Sequence, residues 1–205
     1  MFHDILGFDR ALPWLALAFS IGLAAGAVPI GVLLARAFGL QDPRGIGSGN
    51  IGATNVLRTG HRLAAGLTFV LDAAKGAVPV LVFLSWGDLA AQAAGLGALL
   101  GHCYSPWLRF QGGKGVSTLQ GVMLALYWPA GLGVAATWLT AVALTRISSV
   151  GGLAAAASAP LWLIVFSRWE AVQAASLAAL LIWLRHIGNI RRLVAGNEPR
   201  IGQRR

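Results

Sequence analysis

Long stretches without a single charge constrain this chain more than any motif does. Residues 11–35, 89–108, 115–145, 147–167 and 171–184 carry no Asp, Glu, Lys or Arg, and 63–87 carries only Asp72 and Lys75. A helix needs roughly 20 apolar residues, within a range of about 17–25, to cross a hydrocarbon core. The chain therefore reads as an all-α integral membrane protein. Only 11% of its residues are charged, against about 25% in a soluble domain. A β-barrel is excluded, because its strands would alternate apolar and polar residues.

Seven spans are expected, at about 12–36, 63–86, 89–108, 116–128, 130–145, 149–166 and 170–187, within one transmembrane domain covering 1–205. The run 115–145 decides the number. As one helix it would reach about 46 Å, against a core of about 30 Å, and Pro129 near its middle marks a turn. Splitting it puts 13 of the 16 Lys/Arg on one side, among them Arg36, Arg44, Arg58, Lys114, Arg146 and the Arg-rich tail. Basic residues collect in cytoplasmic loops, so the C-terminus and this basic face are expected in the cytoplasm of a bacterial inner membrane, with the N-terminus outside. The net charge of +9 then reports orientation rather than nucleic-acid binding. The N-terminus is unlike a cleaved signal peptide and reads as a retained first helix, since its apolar run exceeds an h-region of about 7–15 residues. The lone Cys103 permits no internal disulfide.

Two glycine-rich polar segments interrupt this apolar chain: loop 1, residues 45–58 (GIGSGNIGATNVLR), and loop 2, residues 101–118 (GHCYSPWLRFQGGKGVST). Residues 47–52 match GxGxxG literally, but a dinucleotide site needs a strand before the motif and a helix after it in a βαβ unit. Residues 112–115 resemble a P-loop, yet Gly115 stands where Ser or Thr should follow the Lys. Nucleotide is thereby excluded. Glycines still let backbone N–H groups converge on an anion, which nominates Gly49, Gly52 and Gly113. Ser48, Asn50, Thr54 and Asn55 add neutral donors. Arg58 adds a planar bidentate donor suited to phosphate, and Lys114 a mobile point charge. Two such loops on one face suggest a pocket for one or two phosphate groups.

Other polar residues have plainer readings. His102 is expected to be structural, and Arg185 to snorkel towards the interface. Asp72 and Lys75, at i and i+3, suit a self-neutralising pair that locks helix packing. His186 and Asn189 share a helix face if the last span continues. No HExxH or Cys/His cluster has metal-ligand spacing and no GxSxG elbow is present. No catalytic metal or cofactor is expected.

GSGNIGATNVLR, GHCYSPWLRFQGGKGVST and RHIGNIRRLVAGNEPRIG together resemble the bacterial acyl-phosphate:glycerol-3-phosphate acyltransferases of the PlsY family, over nearly the whole chain. The resemblance implies seven spans, a cytoplasmic site, and transfer of a fatty acyl group from acyl phosphate to glycerol 3-phosphate. The products would be lysophosphatidic acid and inorganic phosphate, the first acylation step of phospholipid biosynthesis. It also implies roles for Ser48, Asn55, Arg58, Lys114, Ser149, His186 and Asn189 in holding two phosphates and orienting the glycerol hydroxyl. Relatives often read His-Arg-Glu-Asn at the end of the last span; this chain reads His186-Ile187-Gly188-Asn189. Ser48, Arg58, Lys114 and His186 are taken as catalytic, and Gly49, Asn50, Gly52, Thr54, Asn55, Gly113, Ser149 and Asn189 as substrate-binding. The expected partners are the two substrates and membrane lipid, with no nucleic acid and no obligate protein partner.

The activated mixed anhydride needs no covalent acyl-enzyme, so direct attack by the glycerol 1-hydroxyl is expected, with the substrate's own phosphate or a nearby His as base. Two other classes remain in view. A transporter for a phosphorylated solute also uses helix ends and irregular loops, but usually with inverted repeats, and none is evident here. A lipid-binding scaffold would not require both Arg58 and Lys114.

Overall fold

The computed structural model describes residues 2–202, with side chains from residue 11 onward. The described residues form ten α-helices and no strand: α1 Phe2–Ala27, α2 Ile30–Ala37, α3 Ala53–Val56, α4 Arg62–Leu84, α5 Asp88–Cys103, α6 Val116–Leu126, α7 Trp128–Thr145, α8 Ser148–Val165, α9 Val172–Arg185 and α10 Ile187–Val194. Four segments, 11–37, 62–84, 128–145 and 148–165, are individually long and apolar enough to cross a bilayer, and the bent α9–α10 pair makes a fifth.

The first expected span is not one helix. Pro29 lacks an N–H and disfavours a helical residue before it, so α1 stops at Ala27 and α2 begins at Ile30. A break at membrane depth frees carbonyls that lipid cannot satisfy. Here the protein satisfies them: Ser105 Oγ donates to the Ala27 carbonyl, and Lys75 Nζ to the Val28 carbonyl at 2.8 Å. Lys75 also pairs with Asp72 at 2.7 Å, both side chains buried. The ion pair is thus present, and it serves the helix break as well as neutralising itself. α2 ends in a Schellman turn, with Gly39 at φ +65° and bonds from Gly39 N–H to Arg36 O and from Leu40 N–H to Ala35 O. That turn aims the chain into loop 1.

Small residues set the helix spacing. A Cβ on Gly22 or Gly26 of α1 would stand 2.0 Å from the carbonyl oxygen of Ala94 or Ala98 on α5. One on Gly97 or Gly101 would lie 2.1 Å from Phe19 O or Leu23 O. Backbone contact this close is the packing mode expected where lipid removes the hydrophobic incentive to associate. Gly76 and Gly121 do the same between α4 and α6. α8 and α9 pack through Ala155, Ala156, Ala159, Ala175 and Ala178 in the largest buried cluster.

The run 115–145 breaks at Tyr127, two residues before the expected turn at Pro129. Tyr127 adopts an extended conformation between α6 and α7, and Pro129 lies in the first turn of α7, where its missing N–H costs nothing. The third span is shorter than expected, because α5 ends at Cys103 and Pro106 opens a separate 3-10 turn. The last span does not continue either. The chain bends by 59° between α9 and α10, placing His186 at the corner rather than inside a helix.

Candidate active site

Loop 1 is organised from within by Asn55, which is 2% exposed. Its Oδ1 accepts from the Ser48 N–H at 3.1 Å and from Arg58 Nη1 at 3.1 Å, with Ser48 Oγ at 3.4 Å. Its Nδ2 donates to the Pro43 carbonyl at 2.6 Å and to the Ile46 carbonyl at 3.2 Å. The amide is saturated by its own loop. Asn55 therefore places Ser48 and Arg58 and has no donor left over for a ligand. Gly47 makes this possible. It sits at φ +53°, and a Cβ there would lie 2.5 Å from Arg58 Nη1 and 2.6 Å from Asn55 Oδ1. At the entrance to the loop Arg44 pairs with Asp42, and that hydrogen-bonded cation holds the Asp42 carboxyl down at about 2.

Loop 2 folds back onto the end of α5. The Gly112 and Gly113 N–H groups donate to the Cys103 and His102 carbonyls at 3.2 and 3.0 Å. From α9, Arg185 donates to the Gly113 and Gly112 carbonyls at 3.2 and 2.9 Å and lies 5.0 Å over the Tyr104 ring. Arg185 is a clamp on loop 2, not a snorkelling anchor. His102 packs beneath the loop: a Cβ on Gly113 would stand 2.1 Å from its Nε2. The clamped loop presents Lys114, which reaches Asn189 Oδ1 at 2.6 Å. Burial lowers the Lys114 ammonium to about 8, with nearby Glu198 opposing the fall and Arg192, Arg185 and Arg58 adding to it.

The third contribution comes from the α9–α10 corner and the chain after it. His186 Nδ1 lies 2.8 Å from the Ile182 carbonyl. A carbonyl can only accept, so Nδ1 carries the proton and Nε2 keeps its lone pair. Asn189 donates through Nδ2 to Glu198 Oε1, as does Ser149 Oγ from the start of α8, at 2.7 Å. Arg192 Nε donates to Glu198 Oε2 at 2.7 Å. Burial works against ionising Glu198, but hydrogen bonds from Ser149, Asn189 and Arg192 outweigh it and hold the carboxyl below its usual range.

These segments, from four distant parts of the chain, line one cavity of about 690 Å³. Ser48, Asn50, Gly52, Thr54, Asn55, Arg58, Lys114, Ser149, His186 and Asn189 all reach it. Two expected residues do not. Gly49 and Gly113 lie outside the lining, and their N–H groups donate to the Ile46 and His102 carbonyls. They shape the loops and offer no amide to an anion. Away from the polar end the cavity wall is apolar, with Phe69 and Ala73 of α4, Leu124 of α6, and Leu132, Ala135 and Leu139 of α7. Phe69, Leu124, Leu132 and Leu139 are also exposed, so this trough opens on the outside of the bundle. Polar groups fit for anions at one end and an apolar trough at the other suit an amphiphile with a phosphorylated head.

Glu198 was not among the expected residues. The available signal was its isolation: it is the only acidic residue after Glu170, within a basic tail. Arg185 and Gly47 were likewise undervalued, since their partners lie in other segments or depend on loop geometry.

A family model described as glycerol-3-phosphate acyltransferase matches residues 16–196. Glycerol-3-phosphate acyltransferases of Cereibacter sphaeroides and Roseobacter denitrificans are 49% and 51% identical, each across 96% of this chain and over 94% and 99% of their own lengths. The crystal structure of PlsY, an integral membrane glycerol 3-phosphate acyltransferase, superposes with a TM-score of 0.84 at 35% identity in its glycerol 3-phosphate form, covering 94% of this chain and 96% of that one. Its lysophosphatidic acid form gives 0.83 at 34%. With its helical membrane bundle and a cation-lined cavity continuous with an apolar trough, the chain belongs to the glycerol-3-phosphate acyltransferase family and is an acyltransferase.

Proposed function

We propose that this enzyme transfers a fatty acyl group from acyl phosphate to the 1-hydroxyl of glycerol 3-phosphate, releasing 1-acyl-glycerol 3-phosphate and inorganic phosphate. The observation that carries this reading is the joining of Arg58 and Lys114 to an open apolar trough in one cavity. Two cations suit two phosphates that would otherwise repel each other. The trough suits an acyl chain whose head stays at the polar end. The forms in which PlsY was crystallised, glycerol 3-phosphate and lysophosphatidic acid, support the acceptor and the product.

The acceptor oxygen attacks the acyl carbonyl, the bond from that carbon to the phosphate oxygen breaks, and phosphate leaves. Arg58 and Lys114 stabilise the charge gathering on the leaving phosphate, while Ser48, Asn50 and Thr54 help bring the two reactants into line. The hydroxyl proton passes to His186 Nε2, whose lone pair the Ile182 contact leaves available, or to a phosphate oxygen of the substrate. No covalent acyl-enzyme forms.

Seven crossings complete the proposal, with α1–α2 as the first, α4 to α8 as the next five and α9 as the last. The cavity then faces the cytoplasm of the bacterial inner membrane, as the distribution of Lys and Arg supports. The deciding assay uses purified protein in detergent or lipid with acyl phosphate, glycerol 3-phosphate and a phosphate-release readout. Release that needs both substrates is expected. Solute flux into vesicles without acyl transfer would favour a transporter instead.

A further inference from the structure

Glu198 takes no part in the acyl-transfer scheme, yet its carboxylate sits at the polar end of the cavity. Both flanks of the residue are tied down: the Asn197 N–H donates to the Arg192 carbonyl at 2.8 Å, and the Ile201 N–H to the Arg146 carbonyl at 2.7 Å. The first tie is to α10 and the second to the connection between α7 and α8. The side chain between them is 6% exposed. Oε1 receives both Ser149 and Asn189, and Oε2 receives Arg192.

A side-chain amide has a donor end and an acceptor end, and only its partners tell them apart. With Nδ2 on Glu198, Asn189 must turn Oδ1 the other way, where it accepts from Lys114. We infer that Glu198 is a positioning residue of the active site: it fixes Ser149 and Asn189 and, through Asn189, holds Lys114 at the cavity. The catalytic part of this inference rests on the acyltransferase scheme above.

Charge gives the inference a signature that a merely structural residue would lack. Lys114 is influenced by Arg58 from loop 1, Arg185 of α9, Arg192 of α10 and Glu198 of the tail, while His186 at the corner, lowered to about 4 by burial, is neutral where Lys114 titrates. The three arginines disfavour its protonated form, and Glu198 favours it. Neutralising Glu198 therefore carries the Lys114 ammonium below about 8. The rival role for such a carboxylate is a resident anion that phosphate must expel, and its removal would then tighten phosphate binding.

Lys75 and Lys114 are the only lysines, so lysine labelled with ¹³C at Cε yields two resonances, and Lys114→Arg assigns them. The full chain is titrated by NMR as wild type, Glu198→Gln, Glu198→Ala and Glu198→Asp, with circular dichroism checking the fold. In parallel, kcat and KM are followed against pH with acyl phosphate and glycerol 3-phosphate. Either neutral variant that folds should titrate Lys114 at lower pH and lose about tenfold or more in kcat/KM, the scale of a charge-assisted hydrogen bond. Glu198→Asp, which keeps the charge, should stay nearer wild type in both. An unchanged Lys114 titration in a folded neutral variant, or a lowered KM for glycerol 3-phosphate, overturns the inference. A wild type without acyl transfer refutes the proposed reaction instead, and the NMR titration still decides whether Glu198 controls Lys114.

Discussion

At the residue scale, Asn55 and Lys114 use hydrogen bonding in opposite ways. Asn55 is saturated and buried, so Asn55→Ala takes the side-chain acceptor from the Ser48 N–H and one partner each from the Arg58 guanidinium and the Pro43 and Ile46 carbonyls. Each buried polar group left unpaired costs about 1–3 kcal/mol. Activity should fall by two orders of magnitude or more, roughly the effect of about 3 kcal/mol, read as kcat/KM. Gly47→Ala should do similar damage by driving a Cβ into Arg58. Lys114 keeps a titratable cation facing the cavity. Its protonated form is the one that binds phosphate, and its value is about 8. The sign follows: kcat/KM should hold on the acid side and fall as pH rises through about 8. In kcat the limb should move to higher pH, because bound phosphate favours the ammonium. Lys114→Arg keeps its charge throughout and should remove the alkaline limb while lowering activity, since a rigid fork does not replace a mobile point charge. A pH series on both proteins decides this.

At the scale of elements, the broken first span has its own energetics. Pro29 dictates the break, but Lys75 and Ser105 make it tolerable in lipid. Lys75→Met removes one partner of a buried ion pair and leaves the Val28 carbonyl with only the Ile30 N–H. A loss of about 3–5 kcal/mol is expected from breaking such a pair, read as a lower unfolding midpoint in detergent. Removing both charges with Asp72→Leu and Lys75→Met together should recover part of it. The α1–α5 seam makes a second demand. Gly97→Val places branched carbons where Phe19 O already stands 2.1 Å from a single Cβ, so the helices must part. The variant should be recovered in low yield, and the thermal midpoint of any purified protein should drop.

At the scale of the whole molecule, sidedness and the site are one question. The polar cavity collects residues of loop 1, loop 2, the start of α8 and the tail, and the proposed seven crossings put all four on the same side of the membrane. Reporter fusions after Arg58, Lys114, Arg146 and Arg200 should give the same cytoplasmic signal, and a fusion at Arg168 the opposite one. Arg146 and Arg200 on different sides would refute the seven-crossing arrangement. The Ile201–Arg146 bond between the tail and the α7–α8 connection already ties those two segments together.

Periodicity and charge are local properties, which is why the membrane class, a break near the middle of 115–145 and the two polar loops could be read from the chain alone. Residue chemistry is local too: Arg58 and Lys114 suit phosphate in any setting that brings them together, and they do line one cavity. Tertiary structure decided what depends on partners far along the chain. Ser149 meets Glu198 across 49 positions, Lys114 meets Asn189 across 75, and Ser105 reaches the end of α1 across 78. No pattern in a short window encodes such pairs. For the same reason only the folded bundle showed that Asn55 and Gly113 turn inward, that Arg185 clamps loop 2, and that α4, α6 and α7 form the apolar trough. A side chain's role is set by which groups reach it first, and in this protein those groups arrive from other helices.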